Sequence, residues 1–109
     1  MQVLLTKTAI QCLQDIKSFK LINSESEQVA SLIKLFIETN VNKLSLKPKM
    51  HPFSTQALDY GLKIQERVDK NYRVLFEINE GVVFILLVLH TKQDIVKALF
   101  RHQIIRGFN

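Results

Sequence analysis

Residues Tyr72 to Asp94 read Tyr-Arg-Val-Leu-Phe-Glu-Ile-Asn-Glu-Gly-Val-Val-Phe-Ile-Leu-Leu-Val-Leu-His-Thr-Lys-Gln-Asp. A run rich in β-branched and aromatic residues, an Asn-Glu-Gly centre and a second, nearly all-apolar run predict a β-hairpin. Side chains alternate along a strand, so Tyr72, Val74, Phe76 and Ile78 share one face and Arg73, Leu75, Glu77 and Asn79 the other. The first set is apolar and should meet a core. Val82 to Leu89 is apolar on both faces, as in a central strand covered on both sides. The hairpin ends in a polar corner, His90-Thr91-Lys92-Gln93-Asp94, where chemistry or a partner contact could sit.

Upstream, Leu62 to Val68 alternates, with Leu62, Ile64 and Val68 inward and Lys63, Gln65 and Arg67 outward. Asp69-Lys70-Asn71 is expected as a three-residue turn. In that register Val68 faces Tyr72, Arg67 faces Arg73, Gln65 faces Leu75 and Lys63 faces Glu77. Two arginines would then stand opposite each other, which either an anion between them or solvation of both side chains must relieve.

Ser45 to Gly61 loses periodicity and holds Pro48, Pro52, Ser54 and Gly61, so a long loop is expected. Lys43, Lys47, Lys49 and His51 make its start basic: either a solvated stretch or an arm that contacts phosphates. Leu46, Met50, Phe53 and Leu58 are expected to pin it to the core. Before it, Val29, Leu32, Ile33, Phe36 and Ile37 form a helical stripe reaching about Asn40, and Ser24 with Glu27 matches a capping box. An earlier stripe of Ala9, Cys12, Leu13, Ile16 and Phe19 follows a short strand over Gln2 to Thr6, with Thr6 or Thr8 as cap. Beyond the hairpin, Ile95, Ala98, Leu99, His102 and Ile105 predict a last helix capped by Asp94, whose other side carries Lys97, Arg101 and Arg106. The fold class that follows is α+β, in the order β-α-α-β-β-β-(α). A helical hairpin packs on a mostly antiparallel four-stranded sheet.

The chain has 109 residues, a length that suits one domain spanning 1–109. A hydrophobic fraction of 47% speaks against disorder. The net charge of +5 favours anionic partners without naming one. Cys12, the one cysteine, has no partner for a disulfide and sits on an apolar stripe, so it is expected in the core. No cysteine cluster suggests a metal, no cofactor motif is present, and no run is long enough for a signal peptide or a membrane span. A cytoplasmic setting is expected.

The element order, the Leu44-to-Pro48 approach to the sheet, Asn71-Tyr72-Arg73-Val74-Leu75-Phe76 and Val88-Leu89-His90-Thr91-Lys92-Gln93-Asp94 resemble the RelE/ParE superfamily of type II toxin–antitoxin toxins. The resemblance implies a growth inhibitor neutralised by a cognate antitoxin in a hetero-oligomer. Two mechanisms share that fold, and a third reading is a non-toxic member that keeps only the fold and antitoxin binding. RelE-like members resemble nucleases that cut mRNA on the ribosome. By that likeness Lys63, Arg73, His90 and Lys92 would be the catalytic set, but Thr91 stands where a second arginine is expected and no C-terminal tyrosine exists. ParE-like members bind DNA gyrase instead, and the His90-to-Asp94 ending and the depleted nuclease set lean toward them. Lys47, Lys49, Lys63, Arg67, Arg73 and Lys92 are the candidate contacts to the target or to nucleic acid. Leu75, Val83, Ile85, Leu87 and Leu89 would form an apolar patch on the sheet face away from the helical hairpin. It would be covered by the antitoxin or by the last helix folding back.

Overall fold

The computed structural model describes residues 1–21 and 25–105. Its elements are β1 (Gln2–Leu5), α1 (Lys7–Leu21), α2 (Ser26–Leu46), a 3-10 turn (Pro48–Met50), α3 (Thr55–Leu58), β2 (Gln65–Asp69), β3 (Tyr72–Asn79), β4 (Val82–His90) and α4 (Ile95–Arg101). The fold is α+β. One four-stranded sheet has the order β1-β4-β3-β2, with β1 parallel to β4 and the other pairings antiparallel.

Thr6 joins the first strand to the first helix. Its hydroxyl accepts the Ala9 N–H (3.2 Å), capping α1, and donates to the Ile85 carbonyl (2.8 Å), fixing that cap to β4. Ala9, Cys12 and Leu13 are buried as the stripe predicts, and burial pushes the Cys12 thiol pKa up. Phe19 departs from expectation: the last residue of that stripe is 75% exposed, at the rim of a groove.

Helix α2 runs on to Leu46, past the expected end near Asn40, because Val41 and Leu44 continue its buried stripe. Pro48 stops it by forcing Lys47 out of helical geometry (φ −142°). Leu32 is exposed, so only part of the predicted stripe is core. Of the expected capping box, Ser24 lies outside the described residues, and Glu25 is the N-cap, with no side-chain capping bond.

The expected loop from Ser45 to Gly61 is mostly ordered turns. Leu46, Met50, Phe53 and Leu58 do not pin it, since all four are exposed. Polar groups hold it instead. The Gln65 side chain donates to the Pro48 and His51 carbonyls (3.1 and 2.9 Å), and buried Ser54 caps α3 by accepting the Ala57 N–H (3.2 Å). Ser54 N–H to Ile64 O (2.8 Å) and Glu66 N–H to Pro52 O (2.9 Å) lay residues 52–54 along the β2 edge, satisfying groups an open edge strand would leave bare.

The two hairpin registers set which side chains share a face. Between β2 and β3 the turn is the two-residue Lys70-Asn71, with Lys70 at φ 56° and Asp69 opposite Tyr72. The one-residue difference from the expected turn turns β2 over. Gln65, Arg67 and Asp69 face the helical hairpin, while Val68 is exposed on the other side. Arg67 therefore stands opposite Val74 and Arg73 opposite Val68, so the expected arginine pair does not form. Lys63 precedes β2 and has no strand partner in Glu77, which lies opposite Phe84. A buried network favours this register: Arg67 Nε–H donates to Asn40 Oδ1 (3.0 Å), and Asn40 Nδ2 donates to Asp69 Oδ2 and Phe36 O (2.9 Å each).

Between β3 and β4 the turn is Glu80-Gly81, both at positive φ (49° and 75°), the signature of a twist-matched two-residue loop. Leu75 faces Leu87 but Phe76 faces Ile85, so Leu86 is an extra residue in β4, a bulge. Past it the alternation changes phase. Val74, Ile85 and Val88 meet Leu13, Phe36 and Ile37 of the helical hairpin, and Val83 shares their face. Leu75, Leu87 and Leu89 face the opposite way. The expected single patch of Leu75, Val83, Ile85, Leu87 and Leu89 is thus split between two faces, and all five are buried. Ile95, Ala98 and Leu99 of α4, capped by Asp94 accepting the Lys97 N–H (3.0 Å), and Ala57 of α3 are buried in the same core and close the second face.

Asn40→Ala is expected to lower stability in urea unfolding by about 1–3 kcal/mol, because it strips partners from Arg67 and Asp69. A loss below about 0.5 kcal/mol would show that the network adds little. His51 offers a pH test. Its ring lies edge-on to Phe76 (centroids 5.9 Å apart), and burial, then the Arg67 charge, lower its pKa from 6.5. The folded state then holds fewer protons than the unfolded chain just below 6.5, so stability rises with pH there and is lost as pH falls through the lowered value. Going from about pH 7.5 to about pH 5 should lower the urea midpoint more for the wild type than for His51→Gln.

Candidate functional site

Arg73 lies in the middle of three strands, with Val68 on one side and Leu89 on the other, on the face that α4 covers. Its guanidinium meets Glu66 at 3.3 Å, and the two side chains are 27% and 19% exposed. Arg73 Nε is buried without a hydrogen-bond partner among the described residues, so the group is only partly satisfied within the chain. Arg73 lies on the strand face away from the helical hairpin, as the alternation predicts, but that face is covered and the side chain is only 27% exposed.

His90 is the last residue of β4 and pairs with Tyr72. Residues alternate along the strand, so His90 and Tyr72 face the helical hairpin while their neighbours Leu89 and Arg73 face away. The imidazole packs edge-on to Tyr72 (centroids 5.6 Å apart), which in turn packs edge-on to Phe36 (5.7 Å). Nδ1 accepts the Lys92 N–H (3.1 Å), which leaves the proton of the neutral ring on Nε2. The corner is closed further by His90 N–H to Gln93 Oε1 (2.8 Å), Gln93 N–H to His90 O (2.9 Å) and Thr91 N–H to Asn71 O (2.8 Å).

The structure does not gather Lys63, Arg73, His90 and Lys92 around one point. Arg73 and His90 are on opposite faces of the sheet, and Lys63 and Lys92 are exposed residues of different segments. Proton transfer to a phosphate held by Arg73 needs a group within hydrogen-bond reach, and His90 is turned away from it. Of the other basic candidates, Lys47 and Lys49 are exposed around the 3-10 turn, while Arg67 is half-buried and donates to Asn40. Among the described residues no group of His, Cys, Asp and Glu could hold a metal ion, and no helix is long and apolar enough to cross a membrane.

Sequence reasoning missed two features. Asn40 is a core polar anchor, and its signal was a polar residue four positions from both Phe36 and Leu44 on one stripe. The second is a groove beside His90 formed by α1, the start of β3, the end of β4, the turn that follows it and the end of α4, which no single segment announces.

The family model described as the ParE toxin of type II toxin–antitoxin system, parDE, matches residues 3–95, from β1 to the first residue of α4. No curated protein matches the chain. The matched span contains the helical hairpin, all of β2 to β4, Arg73 and the His90 corner. With the α+β order and the mixed sheet it shows that the chain belongs to the ParE toxin family of type II toxin–antitoxin systems.

Proposed function

We propose that this toxin inhibits growth by binding DNA gyrase, as a cytoplasmic protein held inactive in a complex with its cognate antitoxin, and that it does not cut RNA. The observation that carries this reading is the separation of Arg73 from His90 by the thickness of the sheet. A nuclease of the RelE kind would use its cations and its proton donor on one phosphate, which calls for a shared face. Here the arginine leans on Glu66 and the imidazole closes its own corner. Binding makes no such demand, since a few well-supported side chains on one surface suffice.

Arg73 is the residue assigned to the target contact, with Lys47, Lys49, Lys63 and Lys92 as the exposed cations that steer an acidic or nucleic-acid-bearing partner. The half-exposed guanidinium, with its buried Nε unpartnered among the described residues, keeps donors for an incoming carboxylate or phosphate. The antitoxin is assigned to exposed surface. Leu75, Val83, Ile85, Leu87 and Leu89 lie beneath helices and offer it nothing while α4 is in place.

Two assays on purified protein test this reading together. It should block plasmid supercoiling by gyrase and leave ribosome-bound mRNA intact. Arg73→Ala should weaken the block about tenfold without unfolding the protein. Codon-dependent mRNA cleavage with normal supercoiling would overturn the assignment.

A further inference from the structure

We infer that Glu66 is a specificity-determining residue: by engaging Arg73 it closes that guanidinium to phosphodiesters and keeps it for a protein surface. The inference rests on the assignment of Arg73 to the target contact. It names the chemistry of that contact as protein, and not the nucleic acid that gyrase carries.

Glu66 and Val68 on β2 point to the same face as Arg73 and Leu75 on β3, because Glu66 stands opposite Leu75 and Val68 opposite Arg73. Glu66 is thus diagonal to Arg73, and its Oε2 accepts from Nη1 at 3.3 Å. This is the one ion pair among the described residues of a chain with 15 Lys and Arg against 10 Asp and Glu. Its position sets it apart more than its strength, since a single contact between partly exposed groups adds little to stability. Arginine grips a phosphate best through two parallel N–H bonds. Here Nη1 is engaged by Glu66 and Nε is buried, so that grip is blocked.

The surroundings give an acid at this position its consequence. The β2–β3 turn carries Lys70 and the corner after β4 carries Lys92, both exposed and both at the end of the sheet where Tyr72 pairs with Asp69 and His90. With a net charge of +5 on the chain, that end would otherwise draw any polyanion. Asp69 and Asp94 at that end are turned to Asn40 (2.9 Å) and to the Lys97 N–H (3.0 Å), which leaves Glu66 as the acid paired with Arg73. A carboxylate and a phosphodiester present only acceptors to each other, so they repel and share no hydrogen bond. A protein surface brings N–H and O–H donors beside its acceptors and can satisfy Glu66 and Arg73 together. Val68, 55% exposed opposite Arg73, adds the apolar contact that protein interfaces use.

The test uses the full chain and a labelled oligothymidylate of about twenty nucleotides, titrated by fluorescence anisotropy at several salt concentrations. Gln keeps the size of Glu and can still accept the Arg73 bond, so Glu66→Gln removes the charge alone. It should bind the oligonucleotide about fivefold more tightly than the wild type near 0.1 M salt. The slope of log K against log salt should steepen by about 0.7, the mark of one more phosphate contact. Glu66→Ser should gain as well, and adding Arg73→Ala to Glu66→Gln should cancel the gain. Glu38→Gln removes an exposed acid on α2 and raises the net charge equally, so it should leave binding near the wild-type value. The inference is overturned if neither Glu66 variant gains, if Glu38→Gln gains as much, or if the gain survives without Arg73. Supercoiling assays address the partner: Glu66→Gln should inhibit gyrase no better than the wild type, and stronger inhibition would put Arg73 on DNA and overturn the inference too. Wild-type protein that leaves gyrase untouched would instead refute the target reading, while the oligonucleotide titrations still decide the role of Glu66.

Discussion

β4 is buried on both faces, and every other element takes its place from that. Its side chains must satisfy the helical hairpin on one side and α4 with α3 on the other. The extra residue Leu86 lets the strand change phase between those duties, so Ile85 and Val88 both reach α1 and α2 while Leu87 and Leu89 reach the opposite core. Burying five side chains of this size is worth on the order of 10 kcal/mol before the entropy of ordering the chain is subtracted, which makes β4 the largest local contributor to the fold. Thr6 bonds to the bulge on one side, and β3 pairs across it on the other.

The phase of β4 also decides where polar groups can act. Arg73 is aligned with Leu89 and so belongs to the α4 face, and Tyr72 is aligned with His90 and so belongs to the hairpin face. Arg73 with Glu66 therefore lies on one face of the sheet, and the Tyr72–His90 aromatic pair on the other. A toxin that works by holding other macromolecules can use two faces. A catalyst for one phosphate cannot divide its groups between them.

Much of this was legible in the sequence. The Tyr72 face of β3 shows as strict alternation, and Thr6 and Asp94 show as caps because their hydroxyl or carboxylate stands just before an apolar helical period. Cys12 reads as core for the same reason. The bulge was hidden, since a strand apolar on both faces has no alternation to reveal a change of phase. The β2 register was hidden as well: Asp69-Lys70-Asn71 is compatible with a turn of two residues or three, and the choice rests on Asn40, twenty-nine positions away from Asp69, reaching across to it. Lys70 accepts a positive φ for that contact to form. Exposed Leu46, Met50, Phe53 and Leu58 show the converse, apolar residues that composition alone would bury and that a polar scaffold from Gln65 and Ser54 makes unnecessary.

The central claim is that Arg73 and His90 act independently, and a double-mutant cycle tests it most directly. Growth inhibition and gyrase inhibition would be measured for Arg73→Ala, His90→Gln and the pair. The account predicts a large loss for Arg73→Ala, little for His90→Gln, and a coupling within about 0.5 kcal/mol of zero, as for sites that share no partner. It is contradicted if His90→Gln alone abolishes activity and the double variant is no worse than either single one, the behaviour of residues that work as a unit on one phosphate.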